Sequence, residues 1–300
     1  MNGKHFPAIL CFALLIAVPF ANAEENALAA NGFDIGIGEL TFLLDFQRSI
    51  RLDPEAKIQA EWASRLENLK VIDLKKSDNR YAFAWDPAGK RQIIAIRGTA
   101  NLKNVILDVE LWRDKSKALG IRLHHGFEVA AGLVFADVGR FLDKGAPIVV
   151  CGHSLGAAEA IIVGMLLVKE GYIVEKIVAS GPPKATDAEG WRIYKNLPVV
   201  RVSSAFDPVP FLPPATMYSS MPLVQGGPLL MLLDGPYVAV APADFYDSLA
   251  PALEEVKEPK ERFDAVDHRV WTYYDRAAEK MDSLIFVPFD AWESYAKPRK

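Results

Sequence analysis

The 300-residue chain is short of cysteine and histidine and has no excess of basic charge, and each shortage removes a class of function. Its two cysteines, Cys11 and Cys151, build neither a disulfide framework nor a four-thiolate zinc site. With 34 basic against 38 acidic residues and a formal charge of −4, it lacks the surplus needed to neutralise nucleic-acid phosphates. No internal repeat or low-complexity segment is visible. Beyond the first turns of sequence, no apolar run is long enough to span roughly 30 Å of hydrocarbon. What is present, 51 % hydrophobic and 24 % charged residues, suits a chain that folds around a sizeable core.

Residues 1–23 read as an address. Lys4 supplies a positive start, Phe6 to Phe20 is almost unbroken apolar sequence, and Ala21-Asn22-Ala23 sets small residues at a cleavage position before Glu24-Glu25. The apolar stretch contains Pro7 and Pro19 and is short for a membrane anchor. The expectation is a signal peptide removed on export, to the periplasm or the medium. Residues 24–300 would then form a single domain with Cys151 as its one thiol.

Along that chain, Asp53-Pro54 resembles a helix start, and Ile58, Trp62, Leu66 and Leu69 recur at helical spacing, predicting a helix over 54–68. Short apolar runs follow at Tyr81–Trp85, Gln92–Ile96, Pro147–Cys151, Lys176–Ser180 and Val199–Ser203. The later ones are continuous rather than alternating, as in strands covered on both faces. Helix-like stretches at 127–143 and 155–169 lie between them, ended by Gly145 and Gly171. Strands alternating with helices predict an α/β fold with a mainly parallel central sheet and helices on both faces. Residues 204–262, rich in Pro and Gly, with an apolar stretch at 221–241 and a charge run at 254–262, read as loop excursions.

Chemistry enters at Gly152-His153-Ser154-Leu155-Gly156, between a strand ending at Cys151 and a helix starting near Leu155. A G-x-S-x-G sequence alone is weak evidence, but strand, tight turn and helix are the setting of a nucleophile elbow. The turn demands very small residues two before and two after the serine, which Gly152 and Gly156 supply. The helix start beneath Ser154 offers free backbone N–H groups and a positive dipole end.

A serine needs a base. Beyond residue 23 the histidines are His124, His125, His153 and His268. His153 adjoins the serine within a rigid turn, and His124 and His125 precede it, whereas the elbow's chain order is serine, acid, histidine. His268 alone lies downstream. Between them stand Asp187, Asp207, Asp234, Asp244, Asp247, Asp264 and Asp267. Asp207 follows a core strand and is fixed by Pro208. Asp234, before Gly235-Pro236, is the runner-up. Asp267 is too close in sequence to reach the Nδ1 of its neighbour.

With these residues in hand, the chain from about Tyr81 to about Tyr274 resembles the class 3 lipases, the fungal-type lipase family of the α/β-hydrolases. The resemblance rests on Ile96-Arg97-Gly98-Thr99, His125-Gly126-Phe127 and the elbow. It continues through Ser180-Gly181-Pro182-Pro183, Asp207-Pro208-Val209-Pro210 and Asp267-His268. It implies an α/β-hydrolase and a serine esterase, with Ser154 as nucleophile, Asp207 as acid, His268 as base, and Thr99 and Leu155 as oxyanion-hole residues. It implies no metal or organic cofactor, and a lipid ester substrate, met at a membrane or lipid-droplet interface. Its lid position falls on Asn101–Trp112, and the apolar 221–241 stretch offers a second surface near the site's mouth. A lipase acting on acylglycerols is the reading so implied, with phospholipase A1 the near alternative. An acyltransferase and a non-catalytic lipid- or partner-binding protein are remoter ones. Ala157 and Glu159 depart from the family pattern, and a carboxylate in a packed helix requires a partner.

Overall fold

In the structure the continuous apolar runs become the middle of a nine-stranded sheet. The computed structural model describes residues 28–75, 78–97, 115–213, 222–241 and 266–299. The leader 1–23, Thr99, the Asn101–Trp112 segment and the charge run 254–262 lie outside the described residues. The first strands are β1 (Glu67–Leu74), β2 (Asn79–Asp86), β3 (Arg91–Ile96), β4 (Ile148–His153) and β5 (Val174–Ser180). Then come β6 (Thr186–Asp187), β7 (Val199–Ser204), β8 (Leu223–Val224), β9 (Leu229–Leu232), β10 (Tyr237–Ala241) and β11 (Ile285–Val287). The large sheet runs β1-β2-β3-β4-β5-β7-β9-β10-β11, and β6 pairs with β8 apart from it. From β3 to β9 every pairing is parallel. Antiparallel pairings join β1, β2 and β3 at one side and β9 to β10 at the other.

Among the described residues the α-helices are α1 (Ile37–Ser49), α2 (Glu55–Trp62), α3 (His125–Val138), α4 (Leu155–Lys169), α5 (Ala188–Ile193) and α6 (Val270–Ala278). Successive side chains of a strand point to opposite faces. In β4, Val149 and Cys151 therefore pack with Leu40, Phe46, Trp62 and Tyr273 of α1, α2 and α6. Ile148 and Val150 pack with Val134 and Ile161 of α3 and α4 on the other face. Both faces of the parallel strands are covered, which is why their sequence does not alternate. Cys151 is fully buried, and burial pushes its thiol up to about 12, so it stays protonated and unreactive at neutral pH.

Three expectations need correction. The helix-like stretch expected over 127–143 stops at Val138, with Gly139 rather than Gly145 at its end. The helix expected over 54–68 ends at Trp62, because Glu67 already pairs with Trp85 in the first sheet ladder. Residues 223–241 are not a loop excursion: β9 docks beside β7 and β10 beside β9, and Leu229–Leu232 is buried within the sheet. That stretch is core, not a surface at the mouth of a site.

Glu159 of α4 is buried and accepts from the Asn79 side-chain amide of β2, which supplies the partner its position demands. Burial pushes this carboxyl up from 4.5 to about 8, against the pull of that hydrogen bond. Between these values the folded protein holds a proton that the unfolded chain has released. The stability it contributes is complete below the unfolded pKa and is lost as pH rises through the folded one. Glu159→Gln should therefore flatten the fall in melting temperature between pH 4.5 and about 8, and melt above the parent beyond that window. Parallel melting curves for parent and variant would assign the fall to another group.

Candidate active site

The site lies at the carboxyl ends of β4, β5 and β7, where three turns converge. Ser154 occupies the turn between β4 and α4 at φ 62° and ψ −127°, a left-handed conformation costly for a residue with a Cβ. The tightness of the turn is measured at Gly152, where a Cβ would stand 2.1 Å from the Gly156 carbonyl oxygen. The Ser154 amide donates to Ser180 O at 2.9 Å, which ties the turn to the end of β5. Leu155 opens α4, so its amide belongs to the first turn, where N–H groups have no intrahelical acceptor.

His268 comes from the turn before α6. Its Nε2 lies 2.7 Å from Ser154 Oγ and its Nδ1 lies 2.7 Å from Asp207 Oδ2. An ionised carboxylate only accepts, so Nδ1 carries the proton and Nε2 is left free to accept from the serine hydroxyl. Asp207 follows β7. Its Oδ1 accepts the Val209 amide at 2.8 Å, and its Oδ2 also accepts the Tyr273 hydroxyl from α6. Asp207 and His268 are 1 % and 3 % exposed and Ser154 is 7 % exposed, so the chain of hydrogen bonds runs from the interior toward the surface. Gly181 is required beside it: at φ +57°, a Cβ there would meet Asp207 Oδ2 at 2.7 Å and the Tyr273 hydroxyl at 2.8 Å.

The other candidates are placed elsewhere. His153 packs edge-on against His268 at 4.8 Å between ring centroids. Burial, and after it the neighbouring Arg51 charge, holds it well below its ordinary pKa, so it is a neutral wall. His124 stacks on Phe127 at 3.9 Å, and burial pushes it down to about 4. Asp234 spends its carboxylate on the Lys297 amide at 2.8 Å and on Arg276 at 3.3 Å. Asp267 faces away from the His268 ring, toward Ser204, Arg276 and the Arg299 amide. Thr99 is outside the described residues. The strand that leads to it, β3, ends at Ile96, and the carbonyl of the next residue, Arg97, accepts Arg51 Nη2 at 3.1 Å.

Tyr273 is the contact that the sequence left unseen. Its only signal is its place five residues beyond His268, about one turn into the following helix. Together the three side chains can pass the serine proton to His268 while Asp207 stabilises the imidazolium, the arrangement of a hydroxyl nucleophile for acyl transfer.

Residues 93–217 match the family model described as Lipase (class 3). Over 171 residues, 53 % of this chain, the sequence is 29 % identical to a secreted mono- and diacylglycerol lipase of Fusarium solani. The chain spans about half the length of that relative, 51 % of it. The structure is similar to lipase II from Rhizopus niveus, with TM-score 0.59 and 19 % identity over 77 % of this chain and 92 % of that one. It is also similar to a triacylglycerol lipase whose catalytic centre is a serine-protease triad, with TM-score 0.60 and 20 % identity over 78 % and 92 % of the two chains. At such identities the likeness concerns the fold, which is that of the α/β-hydrolases.

Proposed function

We propose that this chain, whose residues 93–217 match the class 3 lipase family model, is an exported serine carboxylic-ester hydrolase of that family that cleaves acylglycerols through an acyl-enzyme on Ser154. The observation that carries the reading is the pair of 2.7 Å contacts from His268, one to Ser154 Oγ and one to Asp207 Oδ2. Ser154 Oγ attacks the ester carbonyl as His268 Nε2 takes its proton. His268 then gives that proton to the departing alcohol oxygen as the C–O bond breaks. Water enters by the same route in reverse: His268 removes its proton, hydroxide character attacks the acyl carbon, and Ser154 is regenerated with the fatty acid released. The Leu155 amide, on the first turn of α4, and the Thr99 amide and hydroxyl are the oxyanion donors in this reading. Loss of one such donor typically costs about 100- to 1000-fold in turnover.

The secreted acylglycerol lipase among the relatives supports the substrate class and export, and residues 1–23 are the segment removed in this reading. The test is the purified protein, assayed in parallel on tri-, di- and monoacylglycerol and on phospholipid, with a serine-directed phosphonate as covalent probe. Acylglycerol turnover with one phosphonate bound per chain at Ser154 is the expected result. Turnover of phospholipid alone would move the assignment to phospholipase A1, and absence of labelling with either substrate would remove the enzyme reading.

A further inference from the structure

Asp267 adjoins the proposed base yet takes no part in the chain from Ser154 to Asp207, and it is fully buried, as is its ion-pair partner Arg276. Its Oδ1 lies 3.0 Å from Arg276 Nη2 and accepts the Ser204 hydroxyl at 2.9 Å. Its Oδ2 accepts the Arg299 amide at 3.0 Å. Ser204 ends β7, and its carbonyl accepts the Asp207 amide at 3.2 Å, so it starts the turn that carries Asp207. Arg276 reaches onward to Leu232 O at 2.9 Å in β9 and to Lys297 O at 3.0 Å. Lys297 in turn donates its amide to Asp234 at the β9–β10 turn. One carboxylate thus joins the His268 turn, the Asp207 turn and the 297–299 strand of chain, and its partner ties all three to the sheet.

Such a pair is a poor stabiliser. Taking two charges out of water offsets most of their attraction, and an apolar pair of the same volume often serves stability as well or better. What a buried pair does supply, when both carboxylate oxygens are hydrogen-bonded as in Asp267, is a fixed geometry between elements. The elements joined here hold the two partners whose 2.7 Å separation the reaction needs.

We infer that Asp267, anchored by Arg276 and the Arg299 amide, is a positioning residue that sets His268 against Asp207 and Ser154. The inference rests on the proposed roles of those three residues. Asp267 touches neither substrate nor reacting atoms; it holds the two turns in register. A misplacement of about 1 Å at such a site costs on the order of 100-fold in rate.

Asp267→Asn alone takes from Arg276 its buried counter-charge, leaving only the partly exposed Asp234 at 3.3 Å, and is expected to fold poorly. The informative variant is Asp267→Asn with Arg276→Met, which removes both charges together and keeps the volume. In this double variant the phosphonate labelling rate and kcat should fall together by about 10- to 100-fold. KM should stay within about twofold, and labelling should still reach one phosphonate per chain. A purely structural pair would act otherwise: it would lower the labelled fraction and leave the rate at each labelled site unchanged. That outcome, or a labelling rate equal to the parent's, overturns the inference. Failure of the parent protein to label at Ser154 is a different result and overturns the reading on which the inference rests.

Discussion

Ser154→Ala is expected to abolish ester hydrolysis and phosphonate labelling together while leaving the fold in place. The substitution removes one oxygen, the atom 2.7 Å from His268 Nε2, and among the described residues no other hydrogen bond depends on it. The turn is held by backbone: the Ser154 amide on Ser180 O at 2.9 Å, and the close passage of Gly152 under Gly156. Alanine meets the left-handed φ of 62° with the same Cβ that serine has, so the strain is unchanged and melting should shift little. Loss of the nucleophile from such a unit lowers kcat on the order of 10⁶-fold, and the activity that remains is what binding and the oxyanion donors give to water. Steady-state turnover of a short soluble ester and gel detection of the bound phosphonate measure the two losses separately. Normal turnover, or labelling at another serine, would assign the nucleophile elsewhere.

The elbow was legible in the sequence because everything it requires is local. Strand, glycine, serine, glycine and helix fall within about twenty consecutive residues, and α4 runs over 155–169 as its apolar content predicts. The middle strands were legible for a related reason, since burial on both faces leaves continuous runs of Val, Ile and Ala. What the sequence concealed is non-local. Leu229–Leu232, set between Pro228 and Asp234-Gly235-Pro236, reads equally as a loop, and the ladders of β7 and β10 on its two sides make it a strand. Glu159 announced a need for a partner without naming Asn79, 80 residues away. Asp267 could be denied one role by its adjacency to His268. Its ties to Ser204, 63 residues before it, and to Arg299, 32 residues after it, follow from the fold alone.

Asp207→Asn, set beside Asp234→Asn, separates the two carboxylates that the sequence left in competition. Asp207 Oδ2 accepts from His268 Nδ1 and from the Tyr273 hydroxyl, and Oδ1 accepts the Val209 amide. An asparagine in that place can keep one acceptor. Where its amide turns toward the ring, it donates, Nδ1 must accept, and the ring proton moves to Nε2. His268 then points a proton at Ser154 where a lone pair is needed. The imidazolium also loses its counter-charge. The expected loss in kcat is on the order of 10⁴-fold, with KM little changed, since neither group binds the substrate in the ground state. Asp234→Asn should cost less than about tenfold, because this carboxylate serves the Lys297 amide and Arg276 and makes no contact with the histidine. A reversed order of the two losses would give the role of the acid to Asp234. Because a nucleophile, its base and its acid act as one unit, adding Asp207→Asn to Ser154→Ala should lower the residual rate no further. A double variant many times slower than Ser154→Ala alone would show that Asp207 acts on the reaction through something other than His268.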